Sequence, residues 1–463
     1  MAGPAAAAGV VAEARPGADR QFAASGGVEL EGGQGQEGGA GLDSTRSEDA
    51  VGAVVPQSGG GARWQAAVAK GPGSGRAQRG SGSTVGGAGG VSLVAVAGYR
   101  SLQQLVLPMG ALTLITGANG TGKSNLYRAL KLVVAAARGD LVAQLVAEGG
   151  LAAALWAGPE TIGGGMRHGE VAVQGGPRSR PVRLRLGFAA EPFSYAITLG
   201  YPQLGGSAFQ LDPRIKGEWI WAGEVFHPRA LLAQRAGEGG DADGDLLSGL
   251  LGGGADPAEH PEVFTLREQV LRWRFYDGFR TDPRAPARHP GLATRTPALA
   301  GDGRDLPAAL RTIEEIGDAA GFRQAIDDAF PGCTVGVDIS SPTFQLAFRQ
   351  PGLLRPLQAA ELSDGTLRYL LLAVALFSPR LPPLLVLNEP ENSLHPNLLA
   401  PLARLIAATA HRTQVWVIAH APELVEALAA EPGCRHHRLE KQLGTTMVPG
   451  QTILERARWR WPE

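Results

Sequence analysis

The run Gly117-Ala118-Asn119-Gly120-Thr121-Gly122-Lys123-Ser124 constrains this chain more than any other feature. A short apolar, β-branched run, Ala111 to Thr116, leads into it. Apolar residues at helical spacing, Leu126, Leu130 and Val133/Val134, lead out. This is G-x-x-x-x-G-K-[ST] in the context it needs, strand then glycine-rich loop then helix. Glycines let the backbone curl until several N–H groups converge, and the helix adds the positive end of its dipole. The product is a cradle for phosphate oxygens. Lys123 belongs on the outer phosphates and the Ser124 hydroxyl on Mg²⁺.

Composition sets the limits around that loop. The chain has 463 residues, 44% of them hydrophobic, enough to bury one large core or several smaller ones. A formal net charge of -1 gives no whole-chain basic field, so nucleic acid or membrane binding would need a local patch. Two cysteines, Cys333 and Cys434, exclude a disulfide framework and a cysteine zinc ribbon, and fit a reducing, cytoplasmic setting. No stretch of about 18 consecutive apolar residues is present to span a bilayer. Residues 1–90 are Gly/Ala/Ser-rich with few large apolar side chains and read as a disordered tail. Gly237 to Gly254 reads as a flexible loop.

From Val91 onward the pattern is ordered. Val91–Ala97, Val182–Phe188 and Phe193–Leu199 alternate as strands, the last two as a hairpin. Pro261–Phe275 reads as a helix. Asp305 is placed to cap a helix over Leu306–Ile316, and Val335–Phe348 reads as a second hairpin. Leu367–Phe377 is an apolar helix, Pro383–Leu387 a buried strand, Asn397–Ala410 an amphipathic helix and Thr413–Ile418 a strand.

Four further motifs sit on or beside these elements. Glu361-Leu362-Ser363-Asp364-Gly365-Thr366 opens the Leu367 helix; by itself it reads as a helix start with Ser363 as N-cap. The strand ending at Leu387 delivers Asn388 and Glu389, followed by Pro390 and Glu391 to Pro396. His420 lies just past the Thr413–Ile418 strand. Upstream, Gly98-Tyr99-Arg100-Ser101 precedes the P-loop strand.

In this order the motifs resemble an ABC-type ATPase of the RecF/SMC-like kind, within the AAA_21-type predicted ATPases. The resemblance runs from about Val91 to the end of the chain. It implies ATP and Mg²⁺ as ligands. Gly117, Ala118, Asn119, Gly120, Thr121, Gly122, Lys123, Ser124 and Asn125 would hold the phosphates, with Arg100 beside the nucleotide. Ser363 and Gly365 match the signature usually written LSGGQ, which contacts ATP bound by a partner subunit, so an ATP-dependent homodimer is implied. Asn388 and Glu389 match the Walker B pair, where an aspartate holds Mg²⁺ through water and the glutamate polarises the attacking water. Asn388 is a departure from that aspartate and brings no charge to the ion. Ser124 and Asn388 are thus the metal-facing residues, and Glu389, Lys123 and His420, which resembles the switch histidine, the catalytic ones. Gln144 and Gln174 both stand as candidates for the Q-loop glutamine.

The implied fold is α/β, a P-loop NTPase with an ABC-ATPase-like head: a mixed central sheet, an antiparallel β subdomain and an inserted helical/β lobe. The expected division is 1–90 tail, 91–140 first part of the head, 141–350 inserted lobe and 351–463 second part of the head. The interval of about 240 residues between Lys123 and Ser363 is too long for a transporter subunit. Only 43 residues follow His420, too few for an attached metal-dependent nuclease domain. DNA maintenance or repair is the function the resemblance implies. Arg267, Arg272, Arg274, Arg280, Arg284, Arg288 and Arg295, interleaved with Trp273, Phe275, Tyr276 and Phe279, are the candidate DNA contact. The alternative is an ATP-gated scaffold, or a partner of a separate nuclease or defence effector, with weak hydrolysis because of Asn388.

Overall fold

A computed structural model describes residues 90–462 apart from 176–178, 180, 203–209, 237–248, 341 and 452–458. The expected tail and most of the Gly237–Gly254 loop lie outside the described residues. The ordered chain opens with β1 (Val91–Tyr99), β2 (Leu102–Pro108) and β3 (Leu112–Gly117), then α1 (Lys123–Arg138) and the shorter α2 (Leu141–Ala147), α3 (Gly150–Ala154) and α4 (Gly164–His168). Next come β4 (Leu184–Ala190), β5 (Phe193–Gly200), β6 (Arg214–Ala222) and β7 (Leu231–Ala236), followed by α5 (Pro261–Leu271), β8 (Arg274–Tyr276) and β9 (Gly291–Leu292). After α6 (Leu306–Ile316) and α7 (Ala319–Ala329) the hairpin β10 (Thr334–Ser340) and β11 (Thr343–Arg349) leads to β12 (Leu357–Gln358). The last part holds α8 (Asp364–Leu376), β13 (Leu384–Asn388), α9 (Leu399–Ala410), β14 (Gln414–Ile418), α10 (Pro422–Ala429), β15 (Arg435–Gln442) and β16 (Thr445–Met447).

These strands form three sheets. The central one runs β16-β15-β3-β14-β13-β8, parallel except for β16. Leu384, Leu385, Val386 and Leu387 of β13 are all fully buried, which explains their unbroken apolar run: both faces of a parallel strand are covered. Strand alternation divides them. Leu384 and Val386, with Trp416 and Ile418 of β14, face the core under α1 and the antiparallel sheet. Leu385 and Leu387, with Val415 and Val417, face α8 and α9. Each such side chain contributes about 1.5–3 kcal/mol through burial.

The second sheet, β2-β1-β4-β5-β6-β7, is antiparallel throughout. Trp219, Trp221 and Trp459 pack together with residues of this sheet, and Trp459 stands over Gly187, where any Cβ would clash with its ring. The third sheet joins β10, β11, β12 and β9, and Leu346 and Phe348 bring it into the same core as α6 and α8. The fold is the mixed α/β, P-loop type that the motif order implies.

Within residues 141–350, β4 pairs β1 and β8 pairs β13, so strands of this interval join the two main sheets. Three expectations change. The helix expected over Pro261–Phe275 stops at Leu271, and Arg274–Tyr276 becomes an edge strand recruited by β13. Asp305 precedes α6 but makes no cap hydrogen bond; its carboxylate accepts the Ala300 N–H at 3.0 Å instead. The helix expected from Asn397 begins as a single 3₁₀ turn, and α9 proper starts at Leu399.

Candidate nucleotide site

The P-loop links β3 to α1, and its glycines adopt conformations that other residues rarely take. Gly120 and Gly122 have φ of 81° and 106°, and Gly117 a φ of 150°. A Cβ at Gly122 would also collide with the Thr446 and Ser101 hydroxyls, and one at Gly117 with the Leu439 carbonyl. Behind the loop lies a chain of hydrogen bonds. The Thr446 hydroxyl donates to the Thr121 carbonyl at 2.7 Å and shares a 2.7 Å bond with the Ser101 hydroxyl. Asn125 donates its amide to Ser101 at 2.9 Å, which braces the loop. Lys123 is buried, and its ammonium donates to the Gly117 carbonyl at 2.6 Å and the Ala118 carbonyl at 3.2 Å. Ala118, Asn119, Gly120 and Ser124 are exposed at the surface of the loop.

Beside the loop is a cavity of about 490 Å³. Ser124, Tyr127, Arg128 and Lys131 line it from one face of α1, Gln144 and Glu148 from α2 and its end, and Arg100, Asn388 and Asp277 from three strand ends. Arg100 has a φ of 47° and donates to Glu148 Oε2 at 3.0 Å; the same oxygen accepts the Tyr99 hydroxyl at 2.6 Å. Burial, then the Glu148 carboxylate, drives the Tyr99 phenol well above its usual pKa, so it stays a donor. The cavity therefore brings together Arg100, Ser124 and Asn388. Of the two candidate glutamines it includes Gln144, while Gln174 is exposed elsewhere.

The Asn388 side-chain oxygen is buried with no hydrogen-bond partner. An oxygen left in that state suits a ligand that supplies a cation or a water. Glu389 follows with φ of 50°, a strained conformation for a residue with a Cβ. Its N–H is held by the Ile418 carbonyl at 2.8 Å, and its carboxylate accepts the Asn392 amide at 2.8 Å. Arg368 of α8 donates to the Glu389 carbonyl at 3.1 Å, and burial lowers the pKa of its guanidinium. Glu391 is buried and accepts the backbone N–H groups of His420 at 2.6 Å and Ala421 at 3.1 Å. The His420 ring is half-exposed, with Nδ1 3.2 Å from the same carboxylate oxygen.

Ser363 and Gly365 lie elsewhere. Ser363 caps α8, accepting the Thr366 N–H at 3.2 Å. With Gly365, Ser393, His395 and Asn397 it lines a second cavity of about 600 Å³. Arg288, a residue assigned by its sequence context to a DNA face, is buried here. Its guanidinium donates to the carbonyls of Ala359, Ala360 and Leu362 at 2.9, 3.2 and 2.8 Å and to Asp364 Oδ1 at 2.7 Å. Sequence reasoning missed this role because the partners lie more than seventy positions away.

The rest of the arginine region is also largely engaged. Arg267 bonds the Ala137 carbonyl, Arg274 the Leu271 and Trp273 carbonyls, Arg280 the Asp282 carboxylate and Arg295 that of Glu315. Trp273, Tyr276 and Phe279 are core residues, not surface rings open to stacking. Arg272, Arg280 and Arg284 remain exposed.

Residues 258–426 match the family model described as AAA domain, putative AbiEii toxin, Type IV TA system. Among solved structures, the Smc head domain bound to the C-terminal domain of ScpA, derived from Pyrococcus furiosus, is 14% identical with a TM-score of 0.47, covering 80% of this chain and 98% of that one. The SMC head domain from Thermotoga maritima is 15% identical with a TM-score of 0.42, covering 79% of this chain and 100% of that one. No curated protein matches the sequence. Over residues 258–426 the family match bears out the resemblance to the AAA_21-type predicted ATPases. Among the described residues, no helix is long and apolar enough to cross a membrane.

Proposed function

From its resemblance to the RecF/SMC-like ABC-type ATPases, we propose that this chain binds and hydrolyses ATP as a head-to-head homodimer. Each copy would hold one nucleotide at Gly117 to Ser124 and offer Ser363 and Gly365 to the nucleotide of the other. The observation that carries this reading is the separation of the two half-sites. Ser124 and Asn388 line one cavity, and Ser363 and Gly365 line another with Ser393 and His395. Two cavities held apart in one chain support a site that a second copy completes.

The residues have distinct tasks. Backbone N–H groups of the loop and the start of α1 bind phosphate oxygens, and Lys123 exchanges the Gly117 and Ala118 carbonyls for them. Arg100, fixed by Glu148, flanks the nucleotide. The Ser124 hydroxyl and the unpartnered Asn388 oxygen are oxygen donors that fit Mg²⁺. When bound, Mg²⁺ neutralises phosphate charge. Glu389, oriented by Asn392, polarises the attacking water, and His420, held through Glu391, faces the outer phosphate. Catalysis of this kind is positioning and charge neutralisation.

The finer role we propose is DNA maintenance or repair in the cytoplasm, with the exposed Arg272, Arg280 and Arg284 as phosphate contacts. A second reading, an ATP-gated scaffold or partner of a separate nuclease or defence effector, is favoured by the neutral Asn388 and by the toxin system named in the matching family's description. Size-exclusion chromatography of Glu389→Gln with and without Mg²⁺ and ATP tests the sandwich. A dimer only with ATP supports it, and an unchanged monomer removes it. Phosphate release by the unaltered protein, lost in Glu389→Gln, separates hydrolysis from mere gating.

A further inference from the structure

Asn388 ends β13, and Asp277 directly follows β8, the parallel strand beside it. Leu387 pairs with Tyr276 in that ladder. Asn388 and Asp277 are the next residues past the end of that pairing, where neighbouring strands lie about 4.8 Å apart. Both line the cavity that contains Ser124. At this spot Asn388 brings a buried, unpartnered amide oxygen and no charge. Asp277 brings a carboxylate.

The cavity holds one other acid, Glu148, whose Oε2 is already taken by the Tyr99 hydroxyl and the Arg100 guanidinium. Asp277 is less committed. Its contact is with Lys131 Nζ at 2.7 Å, an ion pair with both side chains about two-fifths exposed. Such a pair is weak and open to exchange. Lys131 lies on the face of α1 that Ser124 and Tyr127 share, so the contact also keeps the carboxylate turned toward this face. The Tyr127 phenol is raised above its usual pKa, first by burial and then by the neighbouring Asp277 charge.

We propose that Asp277 supplies the negative charge toward the Ser124-held Mg²⁺ that Asn388 lacks, from one strand further along the sheet. This rests on the reading of Ser124 as the metal-facing residue of an ATP site. The carboxylate acts on the ion directly or through a metal-bound water, and Lys131 remains at its outer side.

The test measures binding, not turnover. Fluorescent ADP is titrated in EDTA and in Mg²⁺, and Mn²⁺ affinity of the nucleotide complex is read by electron paramagnetic resonance. Asp277→Asn is expected to weaken Mn²⁺ by about tenfold or more, while binding in EDTA is retained or tightened, because the lost carboxylate repels the phosphates; retained binding also reports an intact fold. Adding Asn388→Asp to that variant returns the charge to β13 and is expected to restore Mn²⁺ affinity. Unaltered Mn²⁺ affinity in Asp277→Asn overturns the inference, as does an equal loss of nucleotide binding with and without metal. If the unaltered protein binds nucleotide without any metal dependence, the reading of Ser124 fails first, and the inference falls with it.

Discussion

Arg288 Nη2 lies 2.7 Å from Asp364 Oδ1, at the first turn of the helix that Ser363 caps. With three carbonyl contacts as well, one buried guanidinium holds the whole approach to Ser363 and Gly365. Arg288→Met strips partners from those carbonyls and should lower unfolding stability by about 1–3 kcal/mol, measured in urea. Nucleotide binding at the P-loop should persist while ATP-dependent dimerisation weakens, and Asp364→Asn should reproduce the second effect with less of the first.

Glu391 fixes the turn at His420 and Ala421 in the same manner. Glu391→Ala leaves the His420 and Ala421 N–H groups without their acceptor, at a cost of about 1–3 kcal/mol. Glu391→Gln keeps an oxygen for them and should unfold close to the unaltered protein. Phosphate release should fall further in the alanine variant. Equal rates in the two would mean that His420 does not depend on this carboxylate.

The P-loop glycines should rank by their surroundings. Gly122→Ala meets both left-handed strain and the Thr446 and Ser101 hydroxyls, whereas Gly120→Ala has open space and strain alone. The strain is about 1–2 kcal/mol for either. Gly122→Ala should therefore melt at a lower temperature and bind nucleotide more weakly than Gly120→Ala.

Glu218 gives a pH signature. It is fully buried between the Tyr195 hydroxyl and the N–H groups of Leu250 and Leu251, and desolvation raises its pKa in the folded chain despite those bonds. The unfolded chain releases this proton from about pH 4.3 upward, while the folded chain retains it. Its contribution to stability thus falls as pH rises from the ordinary glutamate value through the raised one. Urea midpoints should carry this slope in the unaltered protein and lose it in Glu218→Gln.

Much of the site is legible in the residues themselves because its signals are local. The loop pattern, the Ser363 cap, the all-apolar β13 and the polar pair that ends it depend on neighbours within a few positions. The hairpins β4–β5 and β10–β11 follow from strict alternation. By contrast, Arg274–Tyr276 is too short to carry a strand period, and it becomes one through pairing with β13. The arginine-aromatic stretch reads as a surface feature because charge and ring content do not reveal burial; Trp273 and Arg288 are interior because of what folds over them.

The sequence by itself determined the glycine-rich P-loop, the order of the motifs that follow it and the α/β class they require. Only the tertiary structure decided that Asp277 and Asn388 line one cavity, that Arg288 holds the start of α8, and that Ser124 and Ser363 open into different cavities. Each of these depends on strand register or on contacts across long stretches of chain, which no local pattern encodes.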